Sequence, residues 1–312
     1  MEYWLSVGSV FSIMVILAMS CYVVILCGEI SFGQHAFFGI GAYIAATFTA
    51  LGGTDLFTAL VAGGATAALI AFFAGLPILR AHGFQFTIYT LVFAEFIRQT
   101  MLKIEWRIVR DGREIGPQGM LGFSGIDYFF ESGVGAGGQA ALCLGFAAAA
   151  VVLVGALRRS HFGQLLDVVA VDPGLAAASG VDPRRVRLLA FTLAGGLAGL
   201  GGGLFAHYVT YINPENFGLM FGVHAVAYTL LGGIGSVLGP VLGAALDIVL
   251  LEQLRVFGGY RMIVFGSVLV GVIILRPRGL IDQPILPFVL TIARILGLKP
   301  MPFFGREAHR GR

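Results

Sequence analysis

RRSHFGQLLDVVAVDPGLAAASGVDPRRVR, residues 158–187, carries eight formal charges (Arg158, Arg159, Asp167, Asp172, Asp182, Arg184, Arg185 and Arg187) between two long apolar blocks. A charge at a bilayer centre costs roughly 2.5 kcal/mol or more, so hiding all eight in lipid would cost on the order of 20 kcal/mol. The stretch therefore sits in water while its neighbours do not. Inside it, Asp172 can cap an Ala-rich run, Pro173 suits the first helical position and Gly180 suits the C-terminal cap. A helix of one to two turns is expected over Pro173, Gly174, Leu175, Ala176, Ala177, Ala178 and Ser179, outside the membrane and presented by two membrane helices. Such a helix is a docking surface. The plainer alternative is a solvated loop with snorkelling arginines.

The blocks around this stretch define the class. Of 312 residues, 57% are hydrophobic and 12% charged, and mean hydropathy is +0.89. Soluble domains carry about 25% charged residues, so this is a membrane protein. Cys21, Cys27 and Cys143 fall within apolar runs at no metal-ligand spacing and read as small buried hydrophobes. The run from Trp4 to Cys27 has no Lys or Arg before it and reads as a span, not a cleaved signal.

Further spans are expected at Leu56–Leu79, Phe84–Leu102, Ala136–Leu157, Leu188–Tyr211 and Val256–Leu275. Two apolar segments are cut by glycine, at Gly28–Gly41 and at Gly232–Pro240. This pattern predicts an all-α bundle of about six spans plus two broken segments. Whether residues 36–51 and 222–246 cross or re-enter is left open, as is the side of the N-terminus. Arg80, the five arginines of 158–187, Arg276 and Arg278 should share the cytoplasmic side, and the Asn213-Pro214-Glu215 turn the outer side. The polar segment 103–135 then lies outside, although Lys103, Arg107, Arg110 and Arg113 oppose that placement. Beyond residue 280, LPFVLTIARILGLK is too short to span and suits an interfacial helix or a frayed tail.

Six stretches, in order, resemble the permease family of ATP-driven (ABC) importers for branched-chain amino acids, specifically the M-type of its two permease subunits. They are GEISFGQHAFFGIGAY (28–43), GFQFTIYTLVFAEFIRQ (83–99), HFG…AAASGVDPRRVRLLAF (161–191), YINPENFG (211–218), LLGGIGSVLGPVLGA (230–244) and LRPRGL (275–280). The resemblance implies a multi-span helical permease domain over 1–280, with 158–187 as its cytoplasmic coupling loop and 281–312 as a tail. It implies a second homologous permease subunit, two cytosolic ATPases that bind ATP and Mg, an extracytoplasmic binding protein, membrane lipid and no nucleic acid. The setting would be a bacterial inner membrane. Asp172 through Gly180, with Arg184 and Arg185, would be the ATPase-coupling element. Arg184, Arg185 and Arg187 could meet lipid phosphates or acidic ATPase side chains.

The chain departs from the family in places. Gln164, Asp167 and Ala170 stand where the family usually has basic residues, and His224 where it commonly has a carboxylate. Asp111-Gly112-Arg113 and Gly116-Pro117 replace a Thr-Gly-Gly-type motif. These differences bear on the substrate and on the matching ATPase.

Other residues have weaker signatures. Broken segments in opposite halves of a transporter point to a pathway between them. Ser31, Gln34 and His35 would be its first polar side chains, with Gly232, Gly233 and Ser236 in the second half. Close packing through small residues is the competing reading. Glu95 and Arg98, at i,i+3 in an apolar run, can pair; a bundle-facing pair near the outer end is the bland reading. His207 and His224 read as satisfied single histidines. No Gly-Lys-Ser/Thr nucleotide loop, nucleophile–base signature or metal motif occurs, so the chain is expected not to be an enzyme. The leading expectation is a permease for hydrophobic amino acids, with urea or short amides as the alternative cargo. A secondary transporter or channel would need charged midplane residues, which the first half hardly supplies. An intramembrane enzyme would need paired catalytic residues.

Overall fold

The computed structural model describes residues 2–106, 108–110, 113–253 and scattered positions between 263 and 274. Most of the expected final span, with Arg261, lies outside the described residues. Arg276, Arg278 and the tail lie outside them too, as do Arg107, Asp111 and Gly112.

The protein is an all-α integral membrane bundle with one small sheet. In chain order come α1 (Glu2–Ile25), α2 (Gln34–Ala50), α3 (Leu56–Ile78) and α4 (Phe84–Met101). Strands β1 (Ile108–Arg110), β2 (Arg113–Pro117) and β3 (Phe123–Ser124) pair antiparallel in that order. Next are α5 (Tyr128–Glu131), α6 (Ala136–Arg159), α7 (His161–Val171), α8 (Pro173–Ala178) and α9 (Pro183–Val209). A 3-10 turn (Pro214–Phe217), α10 (Leu219–Gly232) and α11 (Gly239–Gln253) follow. Of the described helices, α1, α3, α6 and α9 are long and apolar enough to cross a bilayer. The expected span at α4 has the length, 18 residues, but carries Glu95 and Arg98 and is less apolar. α1 is the most enclosed rod, with 83% of its apolar window buried against 22% for α6. α6 therefore turns most of its apolar surface away from the rest of the chain.

Two ends can be told apart. At one, the Phe123 amide donates to Ile212 O (2.7 Å), joining the sheet to the turn after α9. At the other, Arg184 of α9 donates to Leu76 O of α3 (2.7 Å) beside α8. The N-terminal turns of α1 belong to the sheet end, where Tyr208 OH donates to Ser6 O. Residues 28–50 traverse the bundle: Gly28 packs on Ala170 of α7, and Thr49 bonds His207 near the end of α9 (2.9 Å). α2 has 17 residues, about 25 Å at 1.5 Å per residue, so the non-helical stretch before it makes up the crossing.

α2, α3 and α9 meet almost backbone to backbone. A Cβ built on Gly41 would stand 2.1 Å from Gly199 O, and one on Gly202 would stand 1.8 Å from Phe38 O. Phe37 opposes Gly195 one turn before Gly41 meets Gly199, and Ala45 opposes Gly203 and Thr49 opposes His207 one and two turns after it. On the other face, a Cβ on Gly199 would meet Ala67 at 2.5 Å, and one on Gly195 would meet Ala71 at 2.4 Å. Small residues at every fourth position let helices touch without a water-driven hydrophobic force. The contact decides which glycines are indispensable. Gly202→Ala should lower the thermal midpoint of the purified protein, by about 1–3 kcal/mol of overpacking. Gly145→Ala on α6, with open space around it, should leave the midpoint unchanged or slightly raised. Equal midpoints for the two would contradict this packing.

Candidate functional site

α8 is short but closed at both ends. Asp172 Oδ1 accepts from the amides of Gly174 (2.8 Å) and Leu175 (3.0 Å). At the far end Val181 N donates to Ala176 O and Gly180 N to Ala177 O, with Gly180 at φ +84°. This is the Schellman pattern, and only glycine holds that backbone angle without strain. Asp182 then caps α9 through the amides of Arg184 and Arg185. Ala176 is the buried residue of α8, while Leu175 is 62% exposed and Gly174, Ala177, Ala178 and Ser179 lie open. The result is a stiff knuckle with a free outer face.

Its mounting differs from expectation. α8 hangs between α7 and α9, not between two membrane spans. α7 packs through Gly163, Leu166 and Val169, at i, i+3 and i+6, so residues 161–171 are an amphipathic helix and not loop. Ser160 caps it. Arg158 also leaves the solvated role, bonding Tyr22 OH and lying over its ring, 5.8 Å from the centroid.

The arginines at the foot of α9 divide three ways. Arg185 is exposed and pairs with Asp182 (3.0 Å). Arg184 caps the frayed end of α3 at Leu76 O. Arg187 is buried, turned inward from lipid, and shows only a small part of its side chain to the adjoining cleft. Its Nη1 stands 3.4 Å from Glu29 Oε1 and contacts His82 Nδ1. A cleft of about 370 Å³ opens beside them, lined by Arg80, His82, Pro173, Asp182 and Arg184 among others.

Glu29 starts the first broken segment, whose helix break is shorter than the sequence suggests. It ends at Gly33; Gly39 and Gly41 are inside α2. Residues 29–33 are strapped along the first turns of α4. Glu29 Oε2 accepts from Gly83 N (2.9 Å), Thr87 Oγ1 donates to Ile30 O (2.9 Å), and Phe32 N donates to Thr90 Oγ1 (3.2 Å). Above the strap, Ser31, Gln34 and His35 are all buried. Ser31 Oγ accepts from Gly33 N. Neither amide atom of Gln34, nor His35 Nδ1, has a hydrogen-bond partner among the described residues. The His35 ring lies where a side chain on Gly222 of α10 would be.

The second broken segment is an α10–α11 hairpin. Gly232 faces Gly239, the Tyr228 carbonyl faces Gly243, and His224 Nδ1 lies 3.8 Å from Asp247 Oδ2. A Cβ on Gly232 would stand 1.7 Å from Gly239 O, and Gly233 has φ +103°. Both glycines thus serve close packing and the turn. Ser236 caps Leu238 N in that turn, which reaches Tyr22 through Ile234 O. Ser236 is therefore not the counterpart of Ser31; Gly222 is what α10 brings to His35.

Glu95 and Arg98 do pair (2.6 Å), and Arg98 also meets Glu215 (3.0 Å) at the sheet end. Arg98 is 17% exposed and Glu95 48%, so the arginine turns inward while its acid opens outward, and the pair ties α4 to the turn after α9. His207 is satisfied by Thr49 and Gly203 O. Sequence reasoning overlooked Glu29 and the inward turn of Arg187. The available signals were a lone acid opening a glycine-broken segment and an arginine one turn inside an apolar helix.

The family model described as "Branched-chain amino acid transport system / permease component" matches residues 3–275. The high-affinity branched-chain amino acid transport system permease protein LivM of Escherichia coli K12 is 30% identical, the match covering 87% of this chain and 68% of LivM. The autoinducer 2 import system permease protein LsrC of Klebsiella pneumoniae is 38% identical over 43% of this chain and 42% of its own length. LivH of Salmonella typhimurium, a second branched-chain amino acid permease, is 29% identical over 41% of this chain and 42% of its own. No solved structure gives a significant match. A match that runs from α1 past α11 makes this chain a member of the branched-chain amino acid transport system permease family.

Proposed function

We propose that this chain is one permease subunit of an ATP-driven importer in a bacterial inner membrane, with hydrophobic, branched-chain amino acids as cargo. The observation that carries the reading is α8, a helix capped at both ends whose open face is covered by none of the other described residues. A rigid, small-residue face permits close approach of a partner and transmits displacement instead of absorbing it. In this reading the α8 end is cytoplasmic and receives an ATPase, which binds ATP and Mg. The sheet end faces an extracytoplasmic binding protein, and a second, homologous permease completes the path. The permease chain performs no covalent chemistry itself. The cargo is inferred from LivM, a branched-chain amino acid permease whose match covers 87% of this chain.

α9 connects the two ends. It begins at the Asp182 cap next to α8 and, 27 residues later, reaches the turn that meets the sheet. A push on α8 therefore moves a helix packed along α2 and α3.

In proteoliposomes holding this chain with its partner permease, ATPase and binding protein, leucine uptake should require ATP. Uptake driven by an ion gradient without the ATPase would overturn the reading. Gly174→Trp should leave the protein in the membrane but abolish ATP-dependent uptake, because an indole on the open face of α8 blocks close approach. Normal uptake by that variant would place docking elsewhere.

A further inference from the structure

We propose that Glu29 and Arg187 are positioning residues for transport: their buried ion pair carries movement of α8 and the foot of α9 into the first turn of α2. The inference rests on α8 as the ATPase-docking helix. Arg187 lies about one turn above Pro183, the first residue of α9, and that foot, capped by Asp182, follows directly on Val181, whose amide bonds Ala176 O of α8. Its partner Glu29 belongs to a different part of the chain. Glu29 accepts from the Gly83 amide at 2.9 Å, with Arg187 Nη1 3.4 Å away and His82 Nδ1, itself in contact with Arg187 Nη1, at 3.6 Å.

Burial gives this pair its mechanical character. The side chains of Arg187 and Glu29 are 7% and 4% exposed. An apolar contact can slide; two charges out of water cannot part without leaving each other unpaired, which is strongly unfavourable. Glu29 therefore follows Arg187. Five residues on stands Gln34, the first residue of α2, and the chain between is strapped to α4 through Ile30 and Phe32. Displacement of the α9 foot is thus delivered to the turn where Gln34 and His35 bury polar atoms without partners among the described residues. Opening that turn gives those groups water or substrate to bond.

A purely structural role would affect stability, whereas a positioning role sets how much substrate moves per ATP. The full complex should be compared with wild type, Glu29→Gln and Glu29→Gln/Arg187→Met, reading thermal midpoint, ATP hydrolysis and leucine uptake per ATP. The glutamine keeps an acceptor for Gly83, and the methionine fills space without charge. Glu29→Gln alone should lower the midpoint, because it strands Arg187. The double variant should regain the midpoint and still hydrolyse ATP, yet take up at least tenfold less leucine per ATP. Wild-type uptake per ATP in a double variant of restored midpoint would overturn the proposal. Should that variant not regain its midpoint, the exchanged pair Glu29→Arg/Arg187→Glu decides. A stable exchanged pair with wild-type uptake per ATP supports the junction, and a stable one that hydrolyses without uptake overturns it. Absence of ATP-driven uptake in the wild-type complex would instead sink the importer reading.

Discussion

The contact of α9 with α2 and α3 at backbone distance is what the rest of the molecule depends on. Gly195, Gly199, Gly202 and Gly203 leave no side-chain layer between these helices, so the three behave as one block. In lipid there is little hydrophobic gain from bringing apolar helices together; van der Waals fit has to do it. Interfaces of this kind are rigid where backbone meets backbone, as at Gly41 with Gly199 and Phe38 with Gly202. α8 leads into the foot of the same α9 through a short connection in which Val181 N bonds Ala176 O and Asp182 caps α9. The docking helix and the central block are therefore mechanically continuous.

Polar groups are placed so that little charge faces lipid. Arg158 is taken up by Tyr22, Arg184 by the end of α3 and Arg187 by Glu29. Glu95, Arg98 and Glu215 close the sheet end. The hydroxyls of Thr47, Thr66 and Thr192 turn back on carbonyls four residues earlier in their own helices. Against that background Gln34 and His35 stand out, since a buried polar atom without a partner is costly. They sit where the chain leaves its strap on α4 and begins a helix that starts inside the bundle.

Much of this was legible in the residues. The caps of α8 are local: Asp172, Pro173 and Gly180 encode them within nine positions. Uncharged runs located α1, α3 and α6 to within a few residues. Periodicity was harder to read in α7, whose exposed face includes Val168 and Val171, so it passed for loop within the charged stretch around it. Glycine was ambiguous in principle: Gly28 and Gly233 take left-handed backbone angles and break helices, whereas Gly41 and Gly232 sit inside helices and admit a neighbour. Only the third dimension separates those uses. The same limit hid the pairing of Glu29 with Arg187, which are 158 residues apart and joined by no local rule.

The orientation of α8 is the point on which function turns, and it can be measured directly. The three native cysteines, Cys21, Cys27 and Cys143, are buried, so a Ser179→Cys variant offers one accessible thiol among the described residues. Labelling with a membrane-impermeant maleimide, applied separately to right-side-out and inside-out vesicles, reports which compartment α8 faces. Reaction only in inside-out vesicles, and protection when the ATPase is bound, is the expected result. Reaction in right-side-out vesicles would contradict a cytoplasmic docking helix and the transport scheme built on it.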